Sequence, residues 1–475
     1  MNATRSAIPT RSVLVLAACA LLVLAFAPAQ YFARQQDDAL YLIGARALTS
    51  GRFCILTSPG CPALTSIDPG WPMILAPLAL FTDRPVFFQI LSALLLALAP
   101  AAVWAWLRRR TDEITALLAA ALFASCPLVL EQSGVVMSEI PFVLALVASL
   151  AASESGSPAW TGGLGAALLL VRTAGFGALP GLLLPFALRR RPAEIARSFV
   201  PPALAAAGWW IWCLLHTGSV GKFELLPSTY QAADLLKPFS VAASNLPFYL
   251  SEAGGCFLPP KWAASPAAPL LGAALAAAAA YGLFRAVRAR RDDPAAWALI
   301  GSSLLLAVWG WQYERYLIPL IPLLLWALAS GLGRAAKPAL AVLLALQLGG
   351  QTLPRLSRPG VWSEPELSRT YAWLAGRPRP ALLSSTQPVR DGWLSGLPDV
   401  ALPVANDAAE FAAALKSSRV SLILRVDGQD YGLQSDPRAV LRLRVENAYR
   451  NLDDARYFRK IHEEPAERAA VYEPR

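Results

Sequence analysis

Long apolar runs punctuated by short charged clusters set the rhythm of this chain. They extend over Val13–Ala29, Val86–Leu107, Thr115–Leu130, Ile140–Ala152, Trp160–Val171 and Ala174–Leu188. Further runs cover Phe199–Leu215, Pro266–Phe284, Ala295–Trp311, Leu317–Leu332 and Pro338–Leu348. A straight helix needs roughly 20 apolar residues to cross a bilayer, and several runs fall short of that. The pattern predicts a polytopic α-helical membrane protein of about eleven spans. A long polar stretch, His216 to Ser265, separates two of them.

The rhythm changes past Gly350. Charge becomes denser, Ala381–Ser384 and Val420–Val426 read as short strands, and Ala408–Leu415 reads as a helix. A small α/β domain over 351–475 is expected, following a membrane domain over 1–350 with outer loops at 30–85 and 216–265. No repeat of 20–50 residues and no internal symmetry is visible, which argues against a transporter built from duplicated halves.

The segment from Gln36 to Pro72 breaks the apolar pattern differently. Asp37 and Asp38 stand side by side about one helical turn past the first run. An acid at the centre of a bilayer costs roughly 2.5–3.5 kcal/mol, so the pair belongs at the membrane–water boundary. Leu40, Tyr41, Leu42, Ala45 and Leu48 follow at mostly helical spacing, predicting an interfacial helix that opens on two acids.

Composition strengthens the membrane reading. Of 475 residues, 56% are hydrophobic and only 16% charged, and the mean hydropathy is +0.45. The net charge of +10 does not indicate nucleic acid, because the arginines cluster between apolar runs. With the N-terminus cytoplasmic, the clusters at 108–110, 189–197, 285–291 and 334–337 all fall inside, as the positive-inside rule requires. Asp37, Asp38, Glu131, Glu139, Glu314, Arg315 and the tail then lie on the outer face. Ala25-Phe26-Ala27 faintly resembles a signal-peptidase site, but a retained first helix better anchors the acids behind it. Six cysteines and two histidines without a C-x-x-C make a Cys/His zinc site a poor reading. Cys54 and Cys61 share the first outer loop, either as a disulfide or as two thiols.

Several charged residues invite chemistry, and each has a plainer reading. Asp37-Asp38 can cap a helix, or can supply a general base with a neighbour that orients a hydroxyl or binds a divalent cation. Arg172 sits deep in apolar sequence, near the outer end of a span, facing a cavity or marking the turn between two spans. Arg315, between Glu314 and Tyr316, can grip an anion, pair with Glu314, or snorkel at a helix end. Glu139 opens a helix, where the helix dipole alone would account for it. Glu131 reads as a solvated loop residue, and His216 as a satisfied group at a helix end.

Asp37-Asp38 with Leu40-Tyr41, Ala45, Leu48 and Gly51, then Pro69-Gly70-Trp71-Pro72, resembles the first outer loop of the GT-C membrane glycosyltransferases. The nearest branch holds the protein O-mannosyltransferases, the aminoarabinose transferase of lipid A and the Rgt-type enzymes. Ser138-Glu139-Ile140-Pro141 is similar to the family's acid-containing second outer loop. Arg315-Tyr316-Leu317-Ile318-Pro319 is similar to its late RYLLP-like helix. Ile67-Asp68 departs from the pattern, since relatives often place a basic or aromatic residue and a proline there.

The resemblance implies inverting transfer of a sugar from a polyprenyl-phosphate carrier to a hydroxyl of a lipid, glycan or protein acceptor. Asp37 would be the base, supported by Asp38. Tyr41, Glu139, Arg172, Arg315 and Tyr316 would bind substrate, with Arg172 and Arg315 on the phosphate. A divalent cation, if one is used, would sit on Asp38 and Glu139; no cofactor is required by the sequence. Two rival readings use the same residues. A flippase for lipid-linked sugars would move substrate without chemistry, and a non-catalytic envelope-assembly subunit would need the tail but not the aspartates.

Overall fold

In the computed structural model, residues 9–27, 32, 36–216, 237–356, 367–428 and 440–475 are described. Contacts divide the chain into two compact units that interleave in sequence. One comprises Met1–Gln30, Asp68–Trp71 and Arg84–Pro359; the other comprises Tyr31–Ile67, Pro72–Asp83 and Gly360–Arg475. The protein is a polytopic helical membrane protein with a small α/β domain at its C-terminal end.

Apolar helices build the first unit. Pro85–Leu107, Pro192–Leu215, Ala267–Ala289 and the composite Glu314–Leu356 are long and apolar enough to cross a membrane. Shorter apolar helices accompany them, among them Thr10–Phe26, Glu113–Ser125, Pro158–Val171, Gly175–Arg189 and Pro294–Val308. Their ends have local causes. The run read as Thr115–Leu130 breaks at Cys126, because Pro127 starts a new four-residue helix and disfavours helical backbone before it. The composite begins as the 3-10 helix Glu314–Leu320 before the α-helix Ile321–Leu332, so irregular backbone falls beside buried charge. Such backbone is tolerated at membrane depth where protein covers it. Small residues let helices touch: a Cβ on Gly181 would collide with the carbonyl of Pro294, and one on Gly282 with that of Ala327.

The stretch from His216 to Ser265 is not uniformly loop: residues Lys237–Gly255 form a helix. Asn245 on it donates to the carbonyls of Leu306, Ala307 and Trp309 at 3.2, 2.9 and 2.8 Å, satisfying the open end of Pro294–Val308. Ser240, Ser244, Asn245, Ser251 and Glu252 interrupt its apolar positions, which is why no apolar run disclosed it.

The four basic clusters gather at one end of the bundle. Arg110 pairs with Glu154 at 2.8 Å and with Asp293 at 3.2 Å, Lys337 with Asp112 at 3.1 Å, and Arg285 donates to the Ser330 carbonyl. Ser12 donates to Glu113 at 2.6 Å, so the start of Thr10–Phe26 shares this end. The helix Glu139–Glu154 runs away from it, and its 16 residues rise about 22 Å from end to end.

In the second unit, five strands form one mixed sheet in the order β2-β1-β3-β5-β4. These are β1 (Leu383–Ser385), β2 (Asp399–Ala401), β3 (Leu422–Val426), β4 (Phe458–Glu464) and β5 (Ala469–Pro474). β1 runs parallel to β2 and β3, whereas β5 is antiparallel to β3 and β4. Strand alternation gives β3 two buried faces: Ile423 packs with Phe411, Leu452 and Phe458, while Leu422, Leu424 and Val426 pack with Leu374 and Leu383. The expected strands around Leu383 and Leu422 and the helix from Ala408 are present. β4 escaped notice because its exposed Arg459, Lys460 and Glu463 carry no apolar alternation.

The helix Gln36–Leu48 belongs to this unit and packs on the tail helix Pro388–Ser395. It does not lie on a surface with one face exposed; every residue from Asp38 to Ala45 is buried. Gly44 shows how close the packing is, since an added Cβ would stand 3.0 Å from Leu64 and 3.1 Å from Phe53. Cys54 and Cys61 are disulfide-bonded, and Cys54 bridges Ala63 across the loop they close. That loop is fastened to the sheet: Asp399 N–H donates to the Thr57 carbonyl at 2.8 Å. Arg46 ties the helix to the segment after Trp71, donating to the Ala79 carbonyl at 2.6 Å and pairing with Asp83 at 3.1 Å.

Candidate active site

Three separate stretches of the first unit meet at Glu139. Ser138 stands at the N-terminal boundary of the helix Glu139–Glu154 without a capping bond from its side chain, so this carboxylate occupies the first turn, where the helix dipole favours a negative charge. It is fully buried. Arg172 Nη1 lies 2.7 Å from its Oε1 and Arg315 Nε lies 3.7 Å from the same atom. The alignment is that of ion pairs only, since neither carboxylate oxygen has a hydrogen-bond partner among the described residues. Arg172 Nη1 directs its hydrogen bond to Ser138 Oγ at 2.9 Å.

Aromatic rings complete the group. The Arg172 guanidinium lies 5.7 Å from the centre of the Tyr316 ring and that of Arg315 lies 5.8 Å from it. Arg315 is also 4.9 Å from the Tyr313 ring, and the two tyrosines meet edge to face at 5.4 Å. Two guanidiniums thus share one buried carboxylate, partly enclosed and held by neighbours. A guanidinium presents its donors as a planar fork, a geometry that matches phosphate as well as carboxylate oxygens.

Arg172 owes its position to the turn that carries it. Pro158–Val171 ends at Arg172 in extended backbone, and Thr173 follows. Thr173 donates its backbone N–H to Asp68 Oδ2 at 2.7 Å and its hydroxyl to both carboxylate oxygens at 3.0 Å. Gly70, two residues on, presses against this helix end: a Cβ there would lie 2.6–2.7 Å from backbone atoms of Leu170 and Val171. Trp71 Nε1 then donates to the Val136 carbonyl at 3.3 Å, next to Ser138-Glu139. The Asp68-Pro69-Gly70-Trp71 segment therefore braces both the arginine turn and the segment leading into the Glu139 helix. The acid at 68, an odd neighbour for a lipid phosphate, is engaged by Thr173. Sequence reading missed Asp68, Thr173 and Ser138 as supports; the signal was a carboxylate directly before a Pro-Gly-Trp turn.

Other expectations are resolved residue by residue. Arg172 marks the turn after Pro158–Val171 and pairs with Glu139 from there. Arg315 pairs with Glu139, whereas the neighbour Glu314 was the expected alternative. Glu131 lies in a turn and is partly exposed, as expected, but it is also paired: Arg355 reaches its Oε1 at 2.6 Å. That pairing joined residues 224 apart, beyond any local pattern. His216 is satisfied, with Nδ1 2.8 Å from the Trp212 carbonyl and its ring over Trp212.

Asp37, Asp38 and Tyr41 fall in the second unit, on the first turns of Gln36–Leu48. Asp38 and Tyr41 are buried, and Asp37 is half-buried. Asp38 Oδ1 accepts from the backbone N–H of Ala39 at 3.0 Å. The named residues are thus divided four and three between the units. Among the described residues, no group of three or more His, Cys, Asp or Glu side chains is placed to hold a metal ion.

Residues 66–177, which contain Asp68, Glu139 and Arg172, match the family profile of dolichyl-phosphate-mannose-protein mannosyltransferase. The fold is similar to that of ArnT from Cupriavidus metallidurans, solved with undecaprenyl phosphate, at TM-score 0.60 and 13% identity over 98% of both chains. It is also similar to the Archaeoglobus fulgidus oligosaccharyltransferase solved with zinc and sulfate, at TM-score 0.55 and 13% identity over 86% of this chain and 67% of that one. The same archaeal protein tethered to an acceptor peptide with the NVT sequon matches at 0.55 and 12% over 98% of this chain and 74% of that one. No curated protein sequence matches significantly. The fold is that of the GT-C glycosyltransferases. The family profile and the structural neighbours alike are glycosyltransferases, in agreement with the class anticipated from the motif order.

Proposed function

We propose that the protein transfers a sugar from a polyprenyl-phosphate carrier to an acceptor hydroxyl at the outer membrane face. The observation that carries this reading is the convergence of Arg172 and Arg315 on buried Glu139, with Tyr316 beside both. Charge inside a membrane bundle is costly and marks a functional site, and two arginine forks brought together there suit a phosphate. The carrier's phosphate ester needs no protonation to leave, because its oxygen is already weakly basic. It needs cations. Arg172 and Arg315 supply them, and Glu139 keeps the two guanidiniums from drifting apart.

Asp37 takes the proton of the acceptor hydroxyl, which contributes roughly 10²–10⁴-fold. The freed oxygen attacks the anomeric carbon as the carbon–oxygen bond to phosphate breaks; the electron pair leaves with the polyprenyl phosphate. Direct displacement inverts that centre. Asp38 and Tyr41 hold the helix that presents Asp37. The capture of ArnT, a protein of this fold, with undecaprenyl phosphate supports a polyprenyl carrier here.

The membrane part is assigned to 1–350 and the outer-face domain to 351–475, in a bacterial inner membrane with the N-terminus cytoplasmic. Two observations support this orientation. The arginine clusters share the bundle end that holds the start of the first helix, and positive charge favours the cytoplasmic side. The Cys54–Cys61 disulfide suits an oxidising compartment for the opposite face. The testing experiment is turnover of a synthetic polyprenyl-phosphate sugar by the purified full chain. Formation of glycosylated acceptor and free polyprenyl phosphate supports the proposal; movement of intact donor across a vesicle without cleavage favours a flippase.

A further inference from the structure

A second cluster of charge lies in the first unit, at the far end of the helix that begins with Glu139. A cavity of about 710 Å³ is lined there by Arg109, Arg110, Glu154, Arg285, Arg290 and Asp293, with Gly282, Ala286, Ala289 and Trp326 forming apolar wall. Glu154 closes the helix Glu139–Glu154, so roughly 22 Å of helix separates this cavity from the Glu139 centre. It is not an extension of that site.

Charge is unevenly distributed within it. Both lining carboxylates are engaged by one cation: Arg110 pairs with Glu154 and donates two bonds to Asp293 from Nη1 and one from Nη2, at 3.2–3.3 Å. Trp106 Nε1 also donates to Glu154 at 2.9 Å, and Arg110 lies over Trp106 and Trp326. This triad is a fixed floor. Arg109, Arg285 and Arg290 stand above it, all exposed. Arg285 gives one bond to the Ser330 carbonyl and Arg290 pairs with Asp292 at 2.9 Å, so each guanidinium keeps further donors. The lining thus holds four arginines against two acids engaged by Arg110, with Asp292 beside Arg290, around a volume that accepts a phosphate and its substituent.

We infer that this cavity binds the phosphate group of an anionic membrane phospholipid. Arginine forks match phosphate oxygens, and basic pockets between membrane helices at the positively charged face are suited to lipid head groups. Chain geometry favours a lipid over a free anion: Ala267–Ala289, which supplies Gly282, Arg285, Ala286 and Ala289, exposes Leu270, Tyr281 and Phe284 along its length. Those side chains give acyl tails an apolar surface continuous with the helix that lines the cavity. The inference does not depend on the glycosyl-transfer reading.

The test uses the full chain purified in detergent, with lipid retention read by native mass spectrometry after addition of phosphatidylglycerol or phosphatidylcholine. Preferential retention of phosphatidylglycerol is expected, falling about tenfold or more in Arg285→Gln/Arg290→Gln. Arg190→Gln, at the same basic end but outside the cavity lining, should retain lipid as the unaltered chain does. Should the double variant not yield monodisperse protein, Arg109→Gln alone carries the same expectation of reduced retention. Equal retention of both lipids, undiminished retention in the cavity variants, or equal loss in Arg190→Gln overturns the proposal. Arginine-dependent binding of inorganic phosphate that displaces the lipid at millimolar concentration overturns the lipid assignment in favour of a soluble anion.

Discussion

Thr173 gives both its backbone N–H and its hydroxyl to Asp68, and the residue before it is Arg172. An anionic side chain from one loop thereby fixes the backbone from which a cationic side chain reaches Glu139. The cation can meet a phosphate without first being ordered, and preorganisation of this kind is where electrostatic catalysis gains most.

Loss of that brace should therefore act at a distance. Asp68→Ala leaves the Thr173 N–H without its acceptor, a penalty of about 1–3 kcal/mol, and frees the Arg172 turn. Displacing a positioning group by about 1 Å can lower rate on the order of 10²-fold. Steady-state kinetics should show kcat falling far more than KM rises, and Asp68→Asn, which keeps an acceptor, should recover much of the rate. A variant with unaltered kcat would mean that the brace serves folding alone.

The arginines should be read by binding rather than by rate alone. Charge-assisted hydrogen bonds are worth about 1.5–3 kcal/mol, so Arg172→Ala or Arg315→Ala should weaken polyprenyl-phosphate binding by roughly 10–100-fold. Arg172→Lys should recover little, because lysine lacks the fork that serves Ser138, Glu139 and a phosphate together. Titration of the unaltered and variant chains with polyprenyl phosphate in nanodiscs measures this. Equal affinity across the series would detach both residues from the carrier.

The tail offers a stability test with a definite sign. Glu467 accepts from the backbone N–H groups of Arg369 and Thr370 at 2.7 and 2.9 Å and from Thr370 Oγ1 at 2.6 Å. Burial raises its pKa, but these bonds, led by the Thr370 hydroxyl, outweigh burial and hold it below the usual glutamate value. A depressed folded pKa adds stability that is complete above the unfolded value of about 4.3 and disappears as pH falls through the folded value. Glu467→Gln should lower stability by about 1–2 kcal/mol at pH 7, and the difference should close in acid. Proteolytic susceptibility of the tail in the full chain, followed from pH 7 to pH 3, checks it. A difference that persists unchanged at pH 3 would contradict the assignment.

How much of this was legible in the chain depends on the range of the interaction. Apolar runs and basic clusters are local, and they disclosed the helical membrane architecture and the end of the bundle where Arg110, Arg285 and Lys337 gather. Arg172 and Arg315 stood out because charge is rare in such sequence. Glu139 as their shared partner did not, since residues 33 and 176 positions away meet it only through packing. The Asp68 brace was hidden for the same reason, joining residues 105 apart. The helix Gln36–Leu48 was placed correctly in sequence but on the wrong surface: its spacing suits an interface, while the tail helix Pro388–Ser395 covers it. Periodicity reports which face is apolar and says nothing of what will cover the other.

The most direct test is single-turnover transfer from a synthetic polyprenyl-phosphate sugar, comparing the unaltered chain with Asp37→Asn across pH 5–9. Removing the base predicts a rate lower by roughly 10²–10⁴-fold with carrier affinity kept, because Arg172, Arg315 and Glu139 are untouched. Transfer by Asp37→Asn at the unaltered rate, over that whole range, would contradict the mechanism.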